Sequence, residues 1–372
     1  MLSNFKNIVS QTLVNVSGFR TDCKIVVFES DDWGSIRTPS QKVIDNLKSF
    51  GIDLDKNPYS KNDGLEKNSD VEYLFEILSK YKDSYGSHPI ITKNFVTCNP
   101  DFKKIEKDLF KMYHNQKIDE TYEIYEESNG VLSLMKNGIE AGLILPQYHG
   151  REHVNVEYWM ELLNEDDYVC RKAFEYGVSG LSKSTAHHFK KNMQATYDTT
   201  NTSFVAESLL EGLNLFKEIF NFNSKSFIPN NFTLDDVHFK LLLQNNVKII
   251  QGMKYQLFPN SDNQIQKRIL RRNGEVNALG QTNIVRNCNF EPTESKKNYI
   301  YTLKEIKLAF FFNQPAVISS HRINFTSRIS EKNRDVNLVD FDLLLKSILK
   351  LWPDVQFMTT LELANYYREK ND

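Results

Sequence analysis

Cysteine is scarce: four residues in 372, Cys23, Cys98, Cys170 and Cys288, with no CxxC pair among them. That spacing excludes a thiolate zinc site and a disulfide framework, and reads as four reduced thiols. No run approaches the roughly 18 apolar residues of a membrane span. The first 20 residues lack the uninterrupted apolar stretch and small-residue cleavage site of a secretory signal, so a cytoplasmic protein is expected. Excess charge of either sign is also missing. Lys and Arg number 46 against 48 Asp and Glu, a formal net charge of −2. No global field draws nucleic acid or an anionic membrane, and the expected partner is a small or uncharged molecule. No Pro/Gly-rich linker, low-complexity tract or fixed-period repeat divides the chain. One domain over 1–372 is expected, with an amphipathic helical extension over 1–20 that puts Phe5, Ile8, Val9, Leu13 and Val16 on one face.

What is present is alternation. Short β-branched or aromatic runs occur at Cys23–Phe28, Ile90–Val96, Gly142–Gln147, Ser226–Ile228, Val247–Gln251, Ile284–Asn287, Ala316–Ser319 and Gln356–Met358. Between them lie amphipathic stretches: Val71–Lys82, Val156–Tyr176, Ser203–Phe220, Leu234–Asn245, Leu303–Phe312 and Leu338–Leu351. Strands separated by helices give βα units and a mainly parallel sheet. Several runs (KIVVF, GLILP, AVISS) are apolar on both faces, as strands covered on both sides must be. Seven or eight such units close into an α/β barrel. The charged segment 101–127 reads as one or two solvated helices. Residues 183–202, with His187 and His188, and residues 261–280, with Lys267, Arg268, Arg271 and Arg272, read as insertions over the surface.

The polar residues fall at the ends of these strands. Asp31 and Asp32 follow KIVVFE, His149 and His153 follow GLILPQY, Asn230 and Asn231 follow SFIP, Gln251 ends VKII, and His321 follows AVISS. In closed α/β barrels the reactive groups gather at the C-terminal mouth, each supplied by a different strand. Each piece also has a bland reading. A strand-end Asp can cap a turn beside Gly34 and Ser35, and an isolated His can be a satisfied structural residue. Taken together they suggest a site. Imidazoles spaced by four share one face of a helical turn and can converge on one cation, and two of them with one carboxylate leave a coordination position for water. Zinc suits such a set, as do other first-row cations. His321 is a candidate general acid, because a free imidazole titrates near neutrality.

The segments SDDWG, HGREH and SSH, in that order, resemble the sequential motifs of the polysaccharide deacetylases of the NodB-homology class, a carbohydrate-esterase family. The resemblance runs from about Cys23 to VQFMTTLEL near the end of the chain. It implies a distorted (β/α) barrel and a metal-dependent hydrolase that removes N- or O-acetyl groups from a sugar or polysaccharide precursor. By position it makes Asp31 the catalytic base, Asp32, His149 and His153 the metal ligands, and His321 the general acid. Trp33 and Tyr148, which flank the motifs, are expected to stack on a sugar ring, and Asn230 and Asn231 to contact substrate. Three departures stand out. Trp33 precedes Gly34, and Gly150 stands where the family has Ser or Thr. Ile228-Pro229-Asn230 replaces an Arg-Pro-Pro motif whose arginine orients the base, which leaves Arg37, Arg151 or Arg322 to supply that charge.

Two other readings compete. A barrel without a working arginine would bind metal and saccharide without turning it over. HGREH is also H-x-x-E-H, a metallopeptidase signature with Glu152 as base and Glu211 or Glu218 as third ligand, but that chemistry needs the motif inside a helix. Paired carboxylates of a glycoside hydrolase fit less well, since adjacent Asp31 and Asp32 cannot easily flank a glycosidic bond.

Overall fold

The computed structural model describes residues 14–259, 267–295 and 297–371. Nine strands make one sheet: β1 (Ile25–Trp33), β2 (Ile91–Val96), β3 (Ile144–Gly150), β4 (Ser226–Phe227), β5 (Ile249–Gly252), β6 (Thr282–Val285), β7 (Cys288–Asn289), β8 (Ala316–His321) and β9 (Gln356–Phe357). Their order is β6-β5-β4-β3-β2-β1-β8-β7, with β9 beside the start of β1. Every pairing is parallel.

The two outer members of that order, β6 and β7, are separated in the chain only by Arg286 and Asn287. A flat eight-strand ladder would hold its edges about 33 Å apart, at ~4.8 Å per strand. Three Cα–Cα steps bridge at most about 11 Å. The sheet therefore curls until its edges meet. The seam is a single hydrogen-bond switch: the Arg286 N–H donates to the Gly252 carbonyl of β5, and the Asn287 N–H to the Val317 carbonyl of β8, at 2.9 and 3.1 Å. Strands β6 and β7 are two halves of one strand that changes partner at the seam, and the result is a distorted (β/α) barrel.

Six main helices flank it: α1 (Asn68–Ser79), α2 (Val131–Glu140), α3 (Thr202–Phe220), α4 (Tyr299–Phe311), α5 (Glu331–Leu351) and α6 (Thr360–Asn371). Along β1 the side chains alternate between two environments, as a pleated strand requires. Val26 and Phe28 join the outer core with Ile91, Phe95, Phe216 and Leu345. Ile25 and Val27 face Ile249, Ile284 and Val317 inside, packed on Leu363, Ala364 and Tyr367 of α6. Continuing along that inner face, the next residues are Glu29 and Asp31. The barrel lining thus passes from apolar to charged toward the C-terminal mouth.

All eight expected strands are present, with shifted ends. The main shift is in β1, which runs on through Asp31 and Asp32. The expected helix over Val156–Tyr176 is two, Val156–Asn164 and Tyr168–Glu175, broken where Asp166 takes a positive φ of 56° and Asp167 caps the second. Segment 101–127 holds two short helices, Phe102–Lys107 and Ile118–Ile124. Residues 176–201 contain neither helix nor strand. They join the Gln41–Ser49 helix and the Val156–Glu175 region around Trp159 and Phe174 in a separate apolar cluster. Of segment 261–280, Arg268–Leu270 pairs antiparallel with Tyr255–Leu257, and residues 261–266 lie outside the described residues. Residues 14–16 are helical, and residues 1–13 of the expected extension also lie outside them. Among the described residues no helix is long and apolar enough to cross a membrane.

One outward residue of β2 is out of character. Lys93 is fully buried, its ammonium 3.5 Å from the Trp33 ring centroid and 3.7 Å from Met135 Sδ. Burial pushes its pKa down to about 7, against the opposing pull of Glu66 and Asp70. The folded value lies below the unfolded one of about 10.4. Between those values the unfolded chain binds a proton that the folded chain does not, so stability rises with pH across that window, and the penalty is complete below about 7. Lys93→Met should therefore stabilise the protein by on the order of 4 kcal/mol at pH 7, and the gain should vanish toward pH 10. Thermal unfolding of both proteins at pH 7 and 9.5 checks this. An equal gap at both pH values would contradict it.

Candidate metal centre

Two β-bulges build the site. Strand β1 pairs with β2 through Ser30↔Lys93 and resumes at Trp33↔Phe95, so Asp31 and Asp32 stand opposite the single residue Asn94. Asp32 takes φ 72°, a left-handed conformation that Asp tolerates better than most residues. This is how neighbours in one strand both present carboxylates to the mouth. The second bulge is in β3, where Phe95↔Tyr148 is followed by Val96↔Gly150 and His149 is the extra residue. Bulges re-aim side chains in this way near the rims of barrels. Gly150 has φ 130°, and a Cβ there would lie 2.9 Å from both Asn230 Oδ1 and Tyr197 Oη. The bulge therefore requires glycine where the resembled family carries Ser or Thr.

Asp32 Oδ1 lies 3.2 Å from His149 Nε2 and 3.2 Å from His153 Nε2, and the three donor atoms all fall within 4.8 Å of one another. A tetrahedral ion with bonds of about 2.05 Å holds its ligand atoms ~3.3 Å apart, so these separations fit a small cation. His149 Nδ1 lies 2.9 Å from the Ile228 carbonyl. Donating there fixes the tautomer and leaves the Nε2 lone pair facing Asp32. Burial would raise the Asp32 pKa, yet His153 and Arg37 hold it well below the usual carboxylate range. Burial also pushes the His153 pKa down, against Asp32, which favours the neutral imidazole a metal needs. The other carboxylate oxygen, Oδ2, accepts from Arg37 Nη2 at 2.9 Å.

Asp31 is held by a different arginine. Arg286 Nη1 and Nη2 donate to Oδ2 and Oδ1 at 2.6 and 2.7 Å, and its Nε donates to Glu29 at 2.6 Å. Asn94 Nδ2 donates to Oδ1 at 2.8 Å. Oδ1 thus has two donors and Oδ2 one, which leaves a lone pair on Oδ2 free. Burial opposes ionisation, but Arg286, His149 and His321 lower the Asp31 pKa to about 2. His321 is the register partner of Asp31 on β8, its Nε2 3.8 Å from Oδ2. Its Nδ1 lies 2.6 Å from Glu291 Oε1, and Asn324 Nδ2 holds the other Glu291 oxygen at 2.8 Å. Burial disfavours the imidazolium, yet Glu291, Asp32 and Asp31 raise the His321 pKa to about 10.

These groups line an open cavity of about 380 Å³, with Tyr59 edge-on to His321 at 5.2 Å between centroids. Asn231 reaches the cavity wall. Asn230 is fully buried and does not line it. The expectation for Trp33 and Tyr148 fails. Both are 0% exposed and belong to the outer core, because strand alternation turns them away from the mouth. Tyr148 packs on Gly212 so closely that a Cβ there would overlap its hydroxyl. The histidine pair does not share a helical turn either. His149 is the penultimate residue of β3 and His153 lies in a bend, with no helix between them. Glu152 is fully buried against Arg151 and Ser208, so the peptidase arrangement has neither its helix nor a free base. Gln251 stays inside the barrel, bonded to Asn94 and Ser226. The arginine on Asp31 comes from none of the three expected residues: Arg37 serves Asp32 and Asp63, Arg151 serves Glu152 and Glu211, and Arg322 serves Asp63 and Glu66. Arg286 and Glu291 were both missed. The one signal for Arg286 was an arginine inside an apolar strand run, IVRNC.

No family model and no curated protein matches the sequence. Among solved structures the chain is similar to a probable polysaccharide deacetylase from Pseudomonas aeruginosa PAO1, at 9% identity and TM-score 0.47, over 94% of this chain and 92% of that one. It is also similar to the allantoinase PuuE, at 9% identity and TM-score 0.46, over the same shares. At such distances the side chains of the site itself must carry the chemistry.

Arg286 is 1% exposed and compensates two buried carboxylates. Removing one partner of a buried ion pair typically costs about 3–5 kcal/mol. Arg286→Met should destabilise the protein by at least that amount, measured by denaturant unfolding. A loss below about 1 kcal/mol would mean that Glu29 and Asp31 do not depend on it.

Proposed function

We propose that this protein is a metal-dependent hydrolase that removes acetyl groups from an N- or O-acetylated sugar or sugar precursor. The observation that carries the reading is the meeting, in one open cavity, of the Asp32, His149 and His153 donor atoms with the Asp31–His321 pair. Zinc or a similar divalent cation held by the three would acidify a bound water and polarise an acyl carbonyl. The rest of the task falls to the chain's own groups. Asp31 is ionised and clamped by Arg286, and its free Oδ2 lone pair accepts the hydrogen bond of the attacking water and takes its proton. His321 is an imidazolium: its Nδ1–H donates to Glu291, and its Nε2–H is the proton delivered to the departing amine or alcohol. Glu291 and Asn324 set the ring's orientation. The arginine whose absence from the third motif suggested an inert barrel has a counterpart in Arg286, which supports turnover over mere binding.

The test is acetate release from acetylated amino sugars and acetylated oligosaccharides by the metal-loaded protein. Wild type should release acetate, and Asp31→Asn and His321→Ala should each lower kcat by about 10²–10⁴-fold, as loss of a general base or acid does. Release that is unaffected by either substitution, or no release from any member of the panel, would contradict the proposal.

A further inference from the structure

A second cavity, of about 410 Å³, adjoins the first. The two share Met253, Asn289 and Lys297 in their walls, so one chamber continues into the other. Their charged groups differ. The catalytic chamber sets four carboxylates, those of Asp31, Asp32, Glu291 and Glu294, among Arg37, Lys297 and His321. The second chamber has no carboxylate in its wall. It is lined by Lys254, Lys297 and the Asp31-bound Arg286, with Tyr255 and Tyr301 as its aromatic surfaces. Lys254 has no carboxylate partner among the described residues, and Lys297 acts on Glu294 and Glu305 only at longer range. Lys254 Nζ lies 5.4 Å from the Tyr255 centroid, and Lys297 Nζ lies 5.9 Å from that of Tyr301. Glu305 accepts from the backbone N–H and Nδ2 of Asn289 and also interacts with Lys297 and Tyr301.

Both lysines are positioned by the backbone. Lys297 exchanges two hydrogen bonds with Glu291, N–H to carbonyl in each direction, at 3.0 and 3.2 Å. The loop that bears the His321 partner therefore also bears a cation of the second chamber. Lys254 precedes the antiparallel ribbon of Tyr255–Leu257 with Arg268–Leu270, where the Arg268 guanidinium sits 4.6 Å from the Tyr255 ring centroid. The ribbon thus adds positive potential on the same side.

We propose that the second chamber holds a phosphate carried by the substrate, so that the acylated sugar enters as a phosphate ester and not as a neutral chain. This deepens the hydrolase reading and rests on it for the identity of the sugar. Two ammonium groups, neither held in a close ion pair, match the double charge of a phosphate, and ammonium serves phosphate as a point charge. The ligand then lies with its acyl end toward Asp32, His149 and His153 and its anion toward Lys254 and Lys297. Tyr255 and Tyr301 supply flat surfaces for the faces of a ring.

Binding tests this without turnover, so its failure and the failure of the hydrolase reading can be told apart. Calorimetric titration of the full-length, metal-loaded protein would compare N-acetylglucosamine 1-phosphate with N-acetylglucosamine. The phosphorylated sugar should bind at least tenfold more tightly. That ratio should fall toward one in the Lys254→Met/Lys297→Met double variant, and part-way in each single variant, with folding checked by thermal unfolding. Equal affinities in wild type would overturn the proposal. So would a ratio that survives in the double variant, since the phosphate would then be bound elsewhere, at the metal centre itself.

Discussion

The guanidinium of Arg286 is where the barrel and the site meet. It lies at the seam, on the residue where one strand leaves β5 for β8, and it crosses the barrel to clamp Glu29 and Asp31 of β1. Two carboxylates two residues apart on the inner face of a buried strand could not both ionise in a low-dielectric interior without such a partner. Burial still leaves Glu29 with a raised pKa, while Asp31, gripped by two nitrogens, is driven the other way. Closure of the sheet and ionisation of the base are therefore one arrangement. Moving the seam by a residue would turn that side chain out of the barrel and leave Asp31 without its counter-ion.

The same logic extends outward from Asp32. Arg37 bridges Asp32 to Asp63, and Arg322 bridges Asp63 to Glu66, all of them buried. Glu66 also accepts from the Gly34 N–H, just beyond the bulge. Charges alternate along this chain, so each carboxylate faces a guanidinium. Such a network contributes little net stability but holds its members in one geometry. Its effect here is to fix one oxygen of Asp32 on Arg37 and leave the other turned to the two imidazoles. The adjacent carboxylates thus receive separate arginines from separate parts of the chain, and separate tasks.

Much of the fold was legible because strands buried on both faces read as apolar runs and helices as amphipathic ones. The order of polar residues at strand ends likewise pointed to Asp32, His149 and His153, since parallel strands deliver their C-terminal ends to one rim. What failed was local geometry. A spacing of four between histidines has the same signature whether it spans a helical turn or, as here, a bulge and a bend. Trp33 and Tyr148 were misplaced because nearness to a motif says nothing about which face a side chain takes once a bulge has reset the alternation. Arg286 was out of reach for another reason. Its partner Asp31 lies 255 positions away, and only the closing of the sheet puts them together. Glu291 sits in a loop after β7, where no periodicity marks it.

Whether the convergence of Asp32, His149 and His153 binds a metal is the claim on which the rest turns. Elemental analysis of the purified protein, wild type beside His149→Ala, measures it directly. About one equivalent of zinc or a comparable divalent cation per chain, lost in the variant, is the predicted result. No bound metal in the wild type, with none taken up from added salts, would contradict the account.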